Sequence, residues 1–343
     1  MKKIIWLATA LTVLATACER YVDLETGGTE GLLVVNGNLY SGDTLHTVHL
    51  SLSKIRDIEP VKKAALKCYV NGTLVSETDR VMDDDYTSLS GKMQFKADFK
   101  PGDEVKITVE SGDCRAETVS TVPEAPEISV VDTCSVTLKD GTESLKIHLK
   151  IRDIKGENNY YRLLAYVDSD FWAEDVAPEV TQYTEGQHLE NCSESKDIDN
   201  TQEGLLYRKV GTDEDQDMYD YWSNYYNIFT DSQFADGEYT LTLLMDEKNL
   251  RNDYGEGWVE NYFTLTQTRS LRFRVLSMSK LTYFYMNDYA FDNSDESFWS
   301  FINGIPYPSN VTGGTGMVSV MAPVDAGIGL DKIRYSSFIY TEE

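Results

Sequence analysis

Apolar residues recur at every second position in several short stretches of the chain. Val48, Leu50 and Leu52 alternate with Thr47, His49 and Ser51. Leu145, Ile147, Leu149 and Ile151 alternate with Lys146, His148, Lys150 and Arg152, and Leu271, Phe273 and Val275 with Arg272 and Arg274. A period of two puts the two sets on opposite faces of a strand, so each stretch predicts a half-buried β-strand. Val105, Ile107 and Val109 predict another, as do Tyr239, Leu241, Leu243 and Met245. Turn residues punctuate these runs. Asn71-Gly72, set between Cys68-Tyr69-Val70 and Thr73-Leu74-Val75, marks a two-residue hairpin, because both turn positions need positive φ. Lys100-Pro101-Gly102-Asp103 and Ala235-Asp236-Gly237 precede later strands. After Ser279 the period changes. Leu281, Phe284, Tyr285 and Tyr289 fall on one side of a helix near 279–290, with Ser279 as its cap.

Short strands at this spacing predict a mainly β fold of two β-sandwich units, immunoglobulin- or fibronectin-like. The first covers 31–122. Val122-Pro123-Glu124-Ala125-Pro126 is the expected hinge, since prolines this close cannot occupy a central strand. The second unit, 127–343, carries the helical excursion. It also carries a long aromatic-acidic insertion near 168–236, where periodicity is weak and little regular structure, or short helices such as 217–229, is expected.

The front of the chain has a different pattern. Met1-Lys2-Lys3 is basic, and Ile4 to Ala17 is an apolar run of fourteen residues. Spanning a bilayer takes about 20, so the run has the proportions of a secretory signal peptide. It ends Leu14-Ala15-Thr16-Ala17-Cys18, which resembles a lipobox with its Leu one place early. The reading is a lipoprotein signal peptide over 1–17, lipidation of Cys18 and a polar tether over 18–30. An ordinary signal peptide cut near Cys18, or a short buried helix, is the alternative. Acyl chains contribute about 0.8 kcal/mol per buried methylene, so several of them anchor a protein stably. Asp23 and Glu25 near the anchor are compatible with export to the surface, which is favoured over a periplasmic orientation at the outer membrane.

The formal net charge is −26. That balance argues against nucleic acid, which calls for a basic footprint, and against a polybasic dock on anionic lipid. Four cysteines remain beyond Cys18: Cys68, Cys114, Cys134 and Cys192. An exported protein permits disulfides. Four cysteines allow three pairings; Cys68 with Cys114 and Cys134 with Cys192 is preferred, with free buried thiols the alternative.

Candidate chemistry is sparse. The histidines are His46, His49, His148 and His188, and they read as surface or turn residues, not as convergent metal ligands. Asp213, Asp215 and Asp217 stand at alternate positions like the opening of a calcium loop, but Met218 replaces the turn glycine and Asn224 the closing glutamate. A solvated acidic loop is the preferred reading there, and a weak calcium site the alternative. No cofactor is expected. Aromatics crowd two segments. Tyr221, Trp222, Tyr225, Tyr226 and Trp299 offer flat amphipathic surfaces for a ligand, against the competing reading that such residues pack the core. Gly313-Gly314-Thr315-Gly316 has the look of a phosphate cradle but lacks the Lys-Ser/Thr and following helix; a bulge or positive-φ loop is favoured.

Several segments in order resemble the Bacteroidetes lipoprotein family known as domain of unknown function 4249. They are Leu33-Val34-Val35-Asn36-Gly37, Lys100-Pro101-Gly102, Thr121-Val122-Pro123, Asn158-Asn159-Tyr160-Tyr161-Arg162, Phe234-Ala235-Asp236-Gly237 and Tyr307 through Gly316. The resemblance implies an outer-membrane lipoprotein, often encoded near a TonB-dependent receptor, and supplies no catalytic residue. The expectation is therefore a non-enzymatic accessory or binding component of a TonB-dependent uptake system, its ligand unknown. A surface adhesin or envelope-structural protein is the alternative.

Overall fold

A computed structural model describes residues 31–54, 58–83, 89–156, 158–175, 187–200, 202–207, 224–250, 264–292 and 307–336. The strands in chain order are β1 (Leu33–Tyr40), β2 (Leu45–Ser53), β3 (Ile58–Pro60), β4 (Ala65–Val70), β5 (Thr73–Thr78), β6 (Val81–Asp83), β7 (Gly91–Lys96), β8 (Glu104–Ser111) and β9 (Cys114–Thr121). They continue as β10 (Glu127–Thr137), β11 (Glu143–Arg152), β12 (Tyr160–Asp175), β13 (Gln187–Lys196), β14 (Ile228–Thr230), β15 (Glu238–Asp246), β16 (Thr264–Met278), β17 (Val311–Thr312) and β18 (Val318–Ser336). Two helices are α1 (Glu247–Leu250) and α2 (Lys280–Asp292). The fold is mainly β, as the alternation predicts.

The predicted punctuation is in place. Asn71 and Gly72 both take positive φ between β4 and β5. Ser279 caps α2, its hydroxyl accepting from the Thr282 N–H at 3.1 Å. Residues 122–126 join β9 to β10 and belong to no strand.

The described strands form three sheets. A ten-stranded sheet runs β13-β12-β16-β18-β1-β2-β7-β6, with β14 also on β12 and β3 on β2. A five-stranded sheet (β17-β9-β8-β4-β5) and a three-stranded sheet (β10-β11-β15) accompany it. The large sheet joins both halves of the chain through β18. Val318 to Met321 pair parallel with β1, and Ala322 to Ser336 then pair antiparallel with β16.

Parity along β18 shows how the layers stack. Val318, Val320 and Ala322 enter one core with Leu33, Leu50 and Ile107. Val324, Ala326 and Ile328 pack on a second with Ile147, Phe273 and Leu243. All six β18 residues share one parity and hence one face. Two sandwich-like layers therefore lie side by side on the same face of one long sheet. The division expected at 122–126 is incomplete: Val311 and the start of β18 complete the first core from the far end of the chain. Local periodicity carries no information about that long-range pairing.

Further expectations are corrected. The stretch 168–236 holds more strand than expected, because β12 runs on to Asp175 and pairs with β13 and β14. The apolar period was hidden by Ser169, which is buried and accepts a hydrogen bond from Gln267 Nε2 at 3.0 Å. Residues 228–230 are strand where a helix reaching 229 was expected. On α2 the buried residues are Thr282, Tyr283 and Met286, while Leu281, Phe284 and Tyr289 are exposed. All four cysteines are free. Cys68 stands opposite Ile107 and Cys114 opposite Ser111 on β8. Four residues of strand separate those positions by about 13 Å, beyond the roughly 7 Å that a disulfide bridges. Cys134 and Cys192 lie on different sheets.

His46 is also corrected, from surface to core. It is in phase with Val48 and Leu50, and its ring is buried against Phe99 at 4.7 Å. Its Nε2 lies 3.1 Å from the Ala97 carbonyl oxygen, so Nε2 carries the proton. Burial lowers its pKa below the ordinary value of 6.5. The folded chain therefore holds His46 neutral where the unfolded chain takes a proton. The stability this contributes is full above the unfolded value and is lost as pH falls through the folded one. We expect His46→Gln to destabilise the protein at pH 7.5, with a gap to wild type that narrows toward pH 5; urea denaturation at the two pH values checks it.

Candidate functional site

The face of the large sheet opposite both cores carries the polar partners of the alternating strands. Three arginines project there: Arg162 on β12, and Arg272 and Arg274 on β16. Two are fully partnered. Arg272 donates from Nε and Nη2 to Asp168, at 2.7 and 2.9 Å, and lies over the Tyr166 ring. Arg274 makes the same two-point contact with Asp325, at 2.8 Å for both bonds. These pairs raise both guanidinium pKa values.

Arg162 is different. Its Nε donates to the Tyr226 carbonyl at 3.2 Å, and its guanidinium sits 5.0 Å from the centre of the Tyr226 ring. Of the three, Arg162 alone forms no ion pair with a carboxylate among the described residues. Burial lowers its pKa, with nearby tyrosines opposing.

Arg162 lines a cleft of about 190 Å³. Its floor is Asn36, Gly37 and Asn38 from β1 with Met317 and Ser319 from β18; its walls are Tyr226, Tyr285, Met286 and Tyr289. Each wall is placed by a specific local cause. Asn224, buried, closes the turn that presents Tyr226: its Oδ1 accepts from the Ile228 N–H at 3.0 Å and its Nδ2 donates to the Ile228 carbonyl at 2.7 Å. Tyr285 and Tyr289 are one helical turn apart on α2, so they line up; their rings are stacked with centroids 6.3 Å apart. Tyr307 closes the group, 5.8 Å from Tyr285 and 6.2 Å from Tyr289. Beneath α2, Tyr283 and Met286 pack on Leu276, Met278 and Met321, which fixes the helix on the sheet. Burial raises the pKa of Tyr226 and of Tyr285, so both stay neutral at physiological pH.

Of the aromatic residues proposed from sequence, Tyr226 lines the cleft. Tyr225 packs edge-on against it at 5.1 Å but is itself exposed. Tyr221, Trp222 and Trp299 lie outside the described residues, as do Asp213, Asp215, Asp217 and Cys18. Sequence reasoning missed Arg162, Asn36, Asn38 and Ser319. Only Arg162 carried a signal, as a charged residue alternating with Tyr161 and Leu163. Tyr285 and Tyr289 are visible in the sequence by their helical spacing, on the side shared with Leu281 and Phe284.

The remaining histidines form no comparable site. His148 Nδ1 on β11 pairs with Asp132 on β10, on the side away from the buried Ile147 and Leu149. His188 Nε2 contacts Asp170 at 2.7 Å and Asn191 at 3.1 Å, while the neighbouring Ser193 hydroxyl donates to Asp168.

The described residues thus define a class: a layered β-sheet protein with an aromatic, cationic cleft on the outer face of its largest sheet. The family described as "Domain of unknown function (DUF4249)" matches residues 19–325, and the chain belongs to that family. No curated protein matches it. Among solved structures, the B domain of a biofilm associated protein aligns over 87% of this chain and 86% of that chain, at 6% identity and a TM-score of 0.15, a likeness too slight to carry any argument. No helix among the described residues is long and apolar enough to cross a membrane.

Segments that carry the family resemblance are joints of the fold. Leu33 to Gly37 meets the loop before β18: Val35 N–H donates to Thr315 O at 2.9 Å, and Met317 N–H to Asn36 Oδ1 at 2.9 Å. Asn159 N–H donates to Asp231 at 2.8 Å, Asp236 N–H to Asp153 at 2.9 Å, and the buried Tyr161 hydroxyl to Asp153 at 2.6 Å.

Proposed function

We propose that this protein is a lipid-anchored, non-enzymatic binding component of the outer membrane. It captures a small molecule in the tyrosine cleft and works beside a TonB-dependent uptake receptor. The single observation that carries the reading is the cleft itself. Tyrosine side chains supply rigid amphipathic contact area at low entropic cost. A group of them around an arginine that has no counter-ion among the described residues has the composition of a recognition site. The lipobox ending at Cys18 supports the address, and the family resemblance supports the neighbouring receptor.

Deleting the gene tests the role. Uptake through the receptor encoded beside it is expected to fall, and the receptor is expected to co-purify with the protein from detergent extracts. Unchanged uptake together with no co-purification would sink the proposal.

A further inference from the structure

The charges on the outer face of the large sheet set Arg162 apart. Arg272 and Arg274 are each held by a carboxylate of the protein. Among the described residues, Arg162, half-buried on the same face, is held by a backbone carbonyl and an aromatic ring and by no carboxylate. Its Nε is used, while Nη1 and Nη2 make no hydrogen bond among the described residues and belong to a side chain lining the cleft. Those two nitrogens form the planar fork that matches a carboxylate with two parallel bonds. The Tyr226 ring fixes the plane of the guanidinium, so little freedom is lost when a ligand arrives.

The rest of the cleft describes what is attached to that carboxylate. Tyr226, Tyr285 and Tyr289 line the space with aromatic side chains that can pack against a ring. Asn38 and Ser319 add an amide and a hydroxyl along the floor, and Asn36 keeps its amide nitrogen free of the bond that its oxygen makes to Met317 N–H. At about 190 Å³ the space is smaller than the roughly 300–1,000 Å³ of drug-sized sites. It suits a single ring.

We propose that the cleft recognises a six-membered ring bearing a carboxylate, the ring against the tyrosines and the carboxylate on Nη1 and Nη2 of Arg162. This deepens the binding role proposed above and rests on it. The chemistry is shared by acidic sugars and aromatic acids.

The test titrates the full chain in detergent, by calorimetry, with two matched pairs of probes: glucuronate and its methyl ester, benzoate and benzamide. At least one acid is expected to bind about ten-fold or more tightly than its neutral partner, the scale of a charge-assisted hydrogen bond. Preference for glucuronate assigns a sugar acid, and preference for benzoate an aromatic acid. Arg162→Gln should abolish the preference, and Arg162→Lys should keep part of it, since charge remains while the fork is lost. The lysine variant keeps the test informative if the glutamine variant misfolds. The proposal is overturned if neither acid outbinds its partner, or if a folded Arg162→Gln protein retains the preference. Neutral rings that bind as well as acids, and lose affinity in Tyr289→Ala, would remove the carboxylate and leave the cleft as a binding site. Probe binding indifferent to both Arg162 and Tyr289 would remove the cleft's binding role as well.

Discussion

Gly316→Ala should lower the stability of the whole protein by about 3 kcal/mol or more, and the tryptophans of the opposite half should report it. Gly316 has φ of +109°, and an added Cβ would stand 2.3 Å from the Val35 carbonyl oxygen and 2.8 Å from Asn36 Oδ1. A strained backbone of this kind costs about 1–3 kcal/mol, and forcing atoms into a packed site costs about 1–3 kcal/mol more. The overlap is with backbone, which cannot swing aside as a side chain can. The contact also closes the joint between β1 and the loop that leads into β18, where Val35 and Met317 exchange bonds with their neighbours. Gly42→Ala is the control: φ is +90° but nothing lies within 4 Å of the new atom, so only the backbone penalty remains.

The readout has a useful asymmetry. Residues 31–122 contain no tryptophan; beyond Trp6, the tryptophans are Trp172, Trp222, Trp258 and Trp299, all in the second half. If one long sheet couples the two cores, a lesion in the first core shifts the tryptophan-detected urea transition as far as the far-UV circular dichroism transition. A tryptophan transition left at the wild-type midpoint while circular dichroism moves would show that the halves unfold independently.

That coupling is also where sequence reasoning ran out. Strand alternation over 145–152 and 271–275 was legible because each strand is buried on one face only. The Asn71-Gly72 hairpin was legible because its chemistry is local. β18 was not, since its partners β1 and β16 are distant in sequence and nothing in the run from Val318 to Ser336 names them. β13 stayed hidden for another reason: it ends the sheet among the described residues and is mostly polar in sequence, so its alternation of burial has no apolar signature. His46 was misplaced because an imidazole on the core face has no apolar signature. It is satisfied there by one carbonyl and two phenylalanine rings.

The cleft was half legible. The aromatic crowding that singled out Tyr226 is a composition signal, and Tyr226 lines the cleft. The burial of Phe229 shows the competing reading at work three residues on. Arg162 is informative only beside Arg272 and Arg274, since among the described residues it alone of the three has no ion-pair partner. On α2 the apolar stripe of Leu281, Phe284 and Tyr289 pointed the wrong way because Thr282, Tyr283 and Met286 take the buried side. That rotation turns Tyr285 and Tyr289 toward the cleft. A tyrosine-rich helix face left half in water makes sense when it serves as the wall of a site.

The second large effect belongs to that wall. Removing aromatic anchors from a recognition site costs about 2 kcal/mol or more each, so losing two is expected to weaken ligand capture by roughly 1,000-fold. Tyr226→Ala with Tyr289→Ala is the informative pair, because Tyr226 lies against the Arg162 guanidinium and Tyr289 packs beside Tyr226, ring centroids 6.3 Å apart. Tyr289 is well exposed, so its loss leaves the packing beneath α2, formed by Tyr283 and Met286, in place. The direct measurement is uptake by the receptor proposed to work beside this protein, in a deletion strain carrying either the wild-type gene or the double variant, at equal envelope abundance by immunoblot. The account predicts that wild type restores uptake and the double variant fails to. Full restoration by the double variant at equal abundance would contradict the claim that this cleft is where the protein does its work.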